Sequence, residues 1–201
     1  MIIAVVNYKA GTGKTTTAGW LAKAFAERGL PTVGVDADPA QHWREWGDDI
    51  DGFGFPILSM ASTQAHTDIP ALTGSASRVV VDCPQHKDHP GITASVLRIA
   101  DVALIPLMPS SSEIRRTMRM GQVLDDVEPL RTAPVQRLVL LNRTKANARS
   151  TKDARDGFTD RGWPVATVTV PDWEDYRWSI GDEIKASGSH FNELITERKW
   201  G

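Results

Sequence analysis

The sequence predicts an α/β fold: a three-layer sandwich around a mostly parallel, twisted sheet. Two observations predict it. Short apolar runs without polar alternation recur along the chain, the pattern of strands covered on both faces. Amphipathic segments separate them, which implies right-handed βαβ units. The 201 residues, 41% apolar and 24% charged, suit one globular domain, because single cores split only beyond roughly 250 residues.

Taken in order, Ile2–Val6 reads as the first strand. Lys14 to Arg28 follows as a helix. Ala18, Leu21, Ala22 and Phe25 share one stripe, and Gly29 supplies a stop. Thr32–Val35 is the second strand. Asp51–Ser77, rich in Gly, Ser and Thr, reads as a connection, with Phe55–Leu58 as a weaker strand inside it. Val79–Val81, Val102–Ile105, Leu138–Leu141 and Val165–Val170 complete the strands. Helical patterns cover Ile92–Ala100, Glu113–Val127, Thr151–Asp160 and His190–Arg198. In such folds ligands sit beyond the carboxyl ends of the strands.

The strongest local signal is Lys9-Ala10-Gly11-Thr12-Gly13-Lys14-Thr15-Thr16, between the first strand and its helix. Glycines let backbone N–H groups curl around phosphate oxygens, and the helix N-terminus adds its positive end. Lys14 suits the β- and γ-phosphates, and the Thr15 hydroxyl suits Mg²⁺. The generic pattern wants a glycine at position 8, which is Tyr8, and a second lysine, Lys9, follows it. Two acidic segments end strands nearby: Asp36-Ala37-Asp38-Pro39 and Asp82-Cys83-Pro84. Phosphoryl transfer needs a metal, charge neutralisation and an oriented water. Asp82 suits an outer-shell Mg²⁺ role, Asp36 the metal's water shell and Asp38 the attacking water. Each aspartate, taken singly, is also an ordinary turn former or helix cap.

These residues resemble a known family. The Lys9–Thr16 segment is similar to the deviant Walker A box of the ParA/MinD ATPases, within the P-loop NTPases. Asp36-Ala37-Asp38-Pro39-Ala40-Gln41 resembles that family's switch I, Val79–Pro84 its Walker B and switch II, and Ile105–Ser110 its later strand and proline loop. The length and the immediate N-terminal loop look most like the small plasmid-partition proteins of the ParF type. That implies one ATPase domain over residues 1–201, with no N-terminal helix-turn-helix extension.

The resemblance implies further expectations. ATP and Mg²⁺ bind, with Ala10, Gly11, Thr12, Gly13, Lys14, Thr15 and Thr16 around the phosphates. Thr15, Asp36 and Asp82 serve the metal, and Lys9, Lys14 and Asp38 serve catalysis. Lys9 matches the signature lysine that crosses an ATP-sandwich homodimer to the partner's phosphates. Ala10 replaces the family glycine, which is costly if its φ must be positive. Asn142, Pro171 and Asp172 would wall the base. The dimer would bind DNA without sequence preference, and a centromere-binding partner of the ParB/ParG kind would stimulate slow hydrolysis. Relatives position other cargo instead: protein assemblies, division factors or carboxysome-like bodies. A metabolic enzyme on the same fold would need a second concave site, and no such constellation is visible.

The net charge is −2, so any polyanion surface must be local. Arg131 to Arg161 holds eight basic residues against three acidic ones. Read from charge alone, that is a phosphate-binding footprint or a solvated helix face in equal measure. With the resemblance, Arg143, Lys145, Arg149, Lys152 and Arg155 become candidates for DNA. Arg115, Arg116 and Arg119 form a second cluster for a dimer interface, a partner or DNA. The single cysteine, Cys83, excludes a disulfide framework and reads as a buried thiol. His86, Asp88 and His89 make a weak metal set. The C-terminal stripe of Phe191, Leu194 and Ile195 carries acidic neighbours, which argues against membrane targeting. No apolar run reaches a membrane span, so the expected location is the cytoplasm, and the resemblance implies association with the nucleoid.

Overall fold

A computed structural model describes residues 1–74 and 76–201. Six strands, β1 (Ile2–Val5), β2 (Thr32–Asp36), β3 (Ile57–Ser59), β4 (Arg78–Asp82), β5 (Val102–Leu107) and β6 (Gln136–Leu141), form one sheet in the order β3-β2-β4-β1-β5-β6. Every pairing is parallel. The helices are α1 (Lys14–Glu27), α2 (His42–Asp49), α3 (Ala65–Thr73), α4 (Pro90–Leu97), α5 (Ser111–Thr117), α6 (Arg119–Val127), α7 (Arg149–Thr159), α8 (Glu174–Arg177) and α9 (His190–Arg198). No described helix is long and apolar enough to cross a membrane.

Strand side chains alternate between two apolar layers. Ala4, Val81, Ile105 and Val139 pack under α3, α4, α6 and α7. Ile3, Val80, Leu104 and Leu138 pack under α1, α2 and α9. Both faces are covered, which is why the strands read as continuous apolar runs. Chain order reverses about β4 and β1, so β1, β2 and β4 deliver their carboxyl ends to one crevice.

The structure corrects four readings. The Asp51–Ser77 connection holds β3, as the Phe55–Leu58 run predicts, and also the unexpected α3, with Ser75 outside the described residues. Pro70 inside α3 breaks the helical signal. Helix α2 was also missed. It is short and polar, but Trp43 and Trp46 are fully buried. They fit because Gly34 and Gly19 carry no side chain: a Cβ there would stand 2.8 Å from Trp43 and 2.5 Å from Trp46. The single helix expected over Glu113–Val127 is two, α5 and α6, meeting at Met118. The first begins earlier because the Ser110 hydroxyl accepts the Glu113 N–H at 3.3 Å. The Ser-x-x-Glu spacing carried that signal.

Val165–Val170 is not a strand. It touches β6 only at a Val139–Val165 bridge and a few backbone bonds. Side chains satisfy its middle. The Glu197 carboxylate accepts the N–H groups of Thr167 at 2.9 Å and Val168 at 2.7 Å. Arg155 donates to the carbonyls of Ala166 and Thr167. Glu197→Ala should therefore cost about 1–2 kcal/mol, a fall of roughly 3–6 °C in Tm. Hydrogen exchange should speed up at Thr167 and Val168 while the β1 amides stay protected.

Candidate phosphate-binding site

Residues 9–13 turn from β1 into α1. Gly11 (φ +74°) and Gly13 (φ +87°) adopt the left-handed region, which glycine enters freely. Ala10 is not among the positive-φ residues, so alanine carries no strain in place of glycine. Its N–H donates to Gln85 Oε1 at 3.0 Å. Helix α1 starts with no side-chain cap and no acidic residue in its first turn. Its leading N–H groups are left for an anion. Lys14 is buried, and among the described residues its ammonium meets only the Lys9 carbonyl, at 3.5 Å. A cleft of about 620 Å³ opens here, lined by Ala10, Gly13, Thr15, Asp38, Gln85 and Arg143 among others.

Asp82 ends β4 opposite Asp36 of β2. Its Oδ2 accepts the Thr15 hydroxyl at 2.6 Å, while its Oδ1 is buried with no partner. Burial pushes its carboxyl up to about 7, although the Lys14 charge and the Thr15 hydrogen bond pull the other way. An orphaned carboxylate oxygen beside a threonine hydroxyl and an open helix N-terminus fits a metal-bound phosphate. Cys83 is buried, and burial beside Asp82 holds its thiol well above the ordinary range.

Asp36 bonds to the backbone of its own loop and of α2. Its Oδ2 accepts the N–H groups of Trp43 at 2.9 Å and Arg44 at 3.0 Å, and its Oδ1 accepts that of Asp38 at 3.0 Å. Burial raises its pKa, and these N–H groups oppose the rise. Through these bonds Asp36 caps α2 and shapes the loop that carries Asp38. Asp38 is half-buried, lines the cleft, and its Oδ1 accepts the Ala40 N–H at 3.0 Å.

Asn142, Pro171 and Asp172 gather with Gly13 and Thr16 around a narrow gap of about 10 Å³, joined by Trp173 and Arg177. An ion pair of 3.0 Å ties Arg177 to Asp172. The Asn142 amide already donates to the Thr12 carbonyl at 3.2 Å and accepts the Arg143 N–H at 2.8 Å. It ties β6 to the loop, and one amide hydrogen and one carbonyl lone pair remain. Sequence reasoning missed Trp173, Arg177 and Gln85, which only the fold brings here.

Four of the five basic candidates share one groove. Lys145, Arg149, Lys152 and Arg155 line a cavity of about 1040 Å³ with Trp173 and Glu193. Arg149 pairs with Asp153 at 3.4 Å, and Arg155 is held by the backbone of 166–167. Arg143 is not with them: at φ +50° it turns into the cleft. The groove is also the second concave site that the sequence did not reveal. Pro171, Asp172 and Trp173 wall both it and the narrow gap.

The chain is 27% identical over 208 residues to maintenance of carboxysome distribution protein A from Halothiobacillus neapolitanus, covering 97% of this chain and 94% of that one. A putative plasmid partition protein from Borrelia burgdorferi, bound to AMPPNP, superposes with TM-score 0.79 at 13% identity, over 100% and 98% of the two chains. Cobyrinic acid a,c-diamide synthase from Mycobacterium smegmatis, with an ATP analogue and magnesium, gives 0.77 at 18% identity, over 99% and 95%. Those two likenesses establish the fold. Residues 3–182 match the model of the CobQ/CobB/MinD/ParA nucleotide binding domain, so the chain, with its phosphate loop, its parallel sheet and its Thr15–Asp82 pair, belongs to that family.

Proposed function

We propose that the protein is a ParA-type ATPase, one domain over residues 1–201, that positions a macromolecular assembly in the cell by binding DNA as an ATP-dependent homodimer. The carrying observation is its similarity, along nearly the full length of both chains, to a carboxysome distribution protein. The groove with four basic side chains supplies a surface for DNA. Its openness and charge favour a polyanion over a small metabolite. Partition of a plasmid by a ParB/ParG-like adaptor is the second reading, and it uses the same groove.

In this reading, backbone N–H groups of residues 10–16 and the Lys14 ammonium hold the triphosphate of ATP. Thr15 and Asp82 hold Mg²⁺, which when bound supplies neutralising charge to the phosphates. Asp38 orients the water, and Lys9 adds a second ammonium across the dimer. Arg143 and the Pro171–Arg177 segment enclose the nucleoside. Intrinsic turnover is slow, and a partner protein supplies the stimulus.

Retention on non-specific duplex DNA, with ATP, ADP or no nucleotide at a stated salt, tests this. The expected result is retention with ATP alone, falling steeply between 50 and 200 mM salt, as roughly expected for several phosphate contacts. Lys145→Glu with Lys152→Glu should abolish it and leave ATP binding intact. Retention indifferent to nucleotide, or ATP turnover that depends on an added small molecule, would overturn it. Loss of an even cargo distribution in cells, with plasmids still inherited, separates the first reading from the second.

A further inference from the structure

Glu113, outside the cleft, is deeply buried, with its side chain only 4% exposed. As the fourth residue of Ser110-Ser111-Ser112-Glu113 it would ordinarily reach back to the Ser110 N–H. That N–H is already satisfied by the Met108 carbonyl, at 2.8 Å. The carboxylate turns instead to two cations that meet on one oxygen. Lys9 Nζ lies 2.9 Å and Arg116 Nη1 3.2 Å from Oε1, while Oε2 is buried with no partner. The Lys9 ammonium is thereby held in a basic pocket with Tyr8, Lys87, Arg116 and Arg119, although its neighbours Ala10 and Gly11 line the nucleotide cleft.

We propose that Glu113 is a positioning residue that stores Lys9 away from the cleft in the monomer, and that Arg116 keeps Glu113 paired once Lys9 leaves. This rests on the reading that Lys9 serves the phosphates of an ATP-bound dimer. The physical case is an exchange of partners. A buried carboxylate stripped of its only cation is strongly unfavourable. Arg116, one turn on along the same helix, removes that obstacle and lowers the barrier to release. The pocket's other cations repel Lys9, so Glu113 alone decides whether it stays. The store therefore sets the protein concentration at which ATP drives dimerisation.

Two variants shift that concentration in opposite directions. Sedimentation of the full chain with magnesium and AMPPNP should show Glu113→Gln dimerising at about 100-fold lower concentration than the wild type, the scale of one charged hydrogen bond in each of the two protomers. Arg116→Gln leaves Lys9 as the only partner of Glu113 and should dimerise at severalfold higher concentration. Neither should change AMPPNP affinity measured on monomer. Mere destabilisation would move both variants the same way, and nucleotide-free Tm monitors it. If Glu113→Gln fails to fold, Arg116→Gln carries the test alone. Wild-type dimerisation in both variants, or shifts of the same sign, while Lys9→Ala stays monomeric, would overturn the store. Wild-type dimerisation by Lys9→Ala would instead overturn the reading of Lys9 itself.

Discussion

Gly13→Ala is expected to weaken ATP binding by at least about 100-fold, close to 3 kcal/mol. Two costs combine. The residue sits at φ +87°, where an L side chain is strained by roughly 1–2 kcal/mol. A Cβ there would also stand 2.3 Å from Asn142 Nδ2, well inside contact distance. Asn142 cannot retreat cheaply, because it holds the Thr12 carbonyl and the Arg143 N–H. The loop must open instead, and the N–H groups that face the phosphates turn away. Titration with a fluorescent ATP analogue measures the loss. Adding Asn142→Ala should recover the steric part and leave the φ strain, so the double variant binds better than Gly13→Ala and worse than wild type. Wild-type affinity in Gly13→Ala would mean that this loop does not hold phosphate.

Asp82→Asn should abolish hydrolysis while making the nucleotide-free protein more stable at and above neutral pH. The Asp82 carboxyl is raised from 3.8 to about 7 in the folded chain. A raised acid means that the fold binds the proton more tightly than the unfolded chain does. Ionised Asp82 therefore costs stability above pH 7, about 4 kcal/mol at full effect. The cost shrinks as pH falls from 7 toward 4 and vanishes below the unfolded value. The Tm advantage of Asp82→Asn should follow the same course: largest above pH 7, absent near pH 4. Magnesium with nucleotide should release a proton near neutral pH in the wild type and not in the variant, visible as buffer-dependent heat. A Tm difference independent of pH would contradict this assignment.

Much of this site was legible because its signals are local. Gly11, Gly13, Lys14 and Thr15 carry their geometry in their spacing, and Asp82 ends a run of three valines. What was not legible depends on partners distant in the chain. The bonds from the N–H groups of Trp43 and Arg44 to Asp36 leave no signal in the sequence. The bond from Asn142 to the Thr12 carbonyl, 130 positions earlier, leaves no signal either. Glu113 gives no functional signal, since its lysine is 104 residues away. Val165–Val170 has a strand's composition, yet Glu197 and Arg155 supply the partners a neighbouring strand would have given. Charge count grouped Arg143 with the groove, and one left-handed turn sends it to the cleft.

In the function proposed above, the cleft between the ends of β1, β2 and β4 hydrolyses ATP, and two copies of the chain do so together. Steady-state phosphate release from magnesium and ATP, followed as protein concentration is raised with duplex DNA present, tests it most directly. Slow turnover is expected, with a specific rate that climbs with protein concentration and that Lys14→Ala and Lys9→Ala each remove. A specific rate that is flat with concentration and survives Lys9→Ala, or no ATP turnover under any condition, would contradict it.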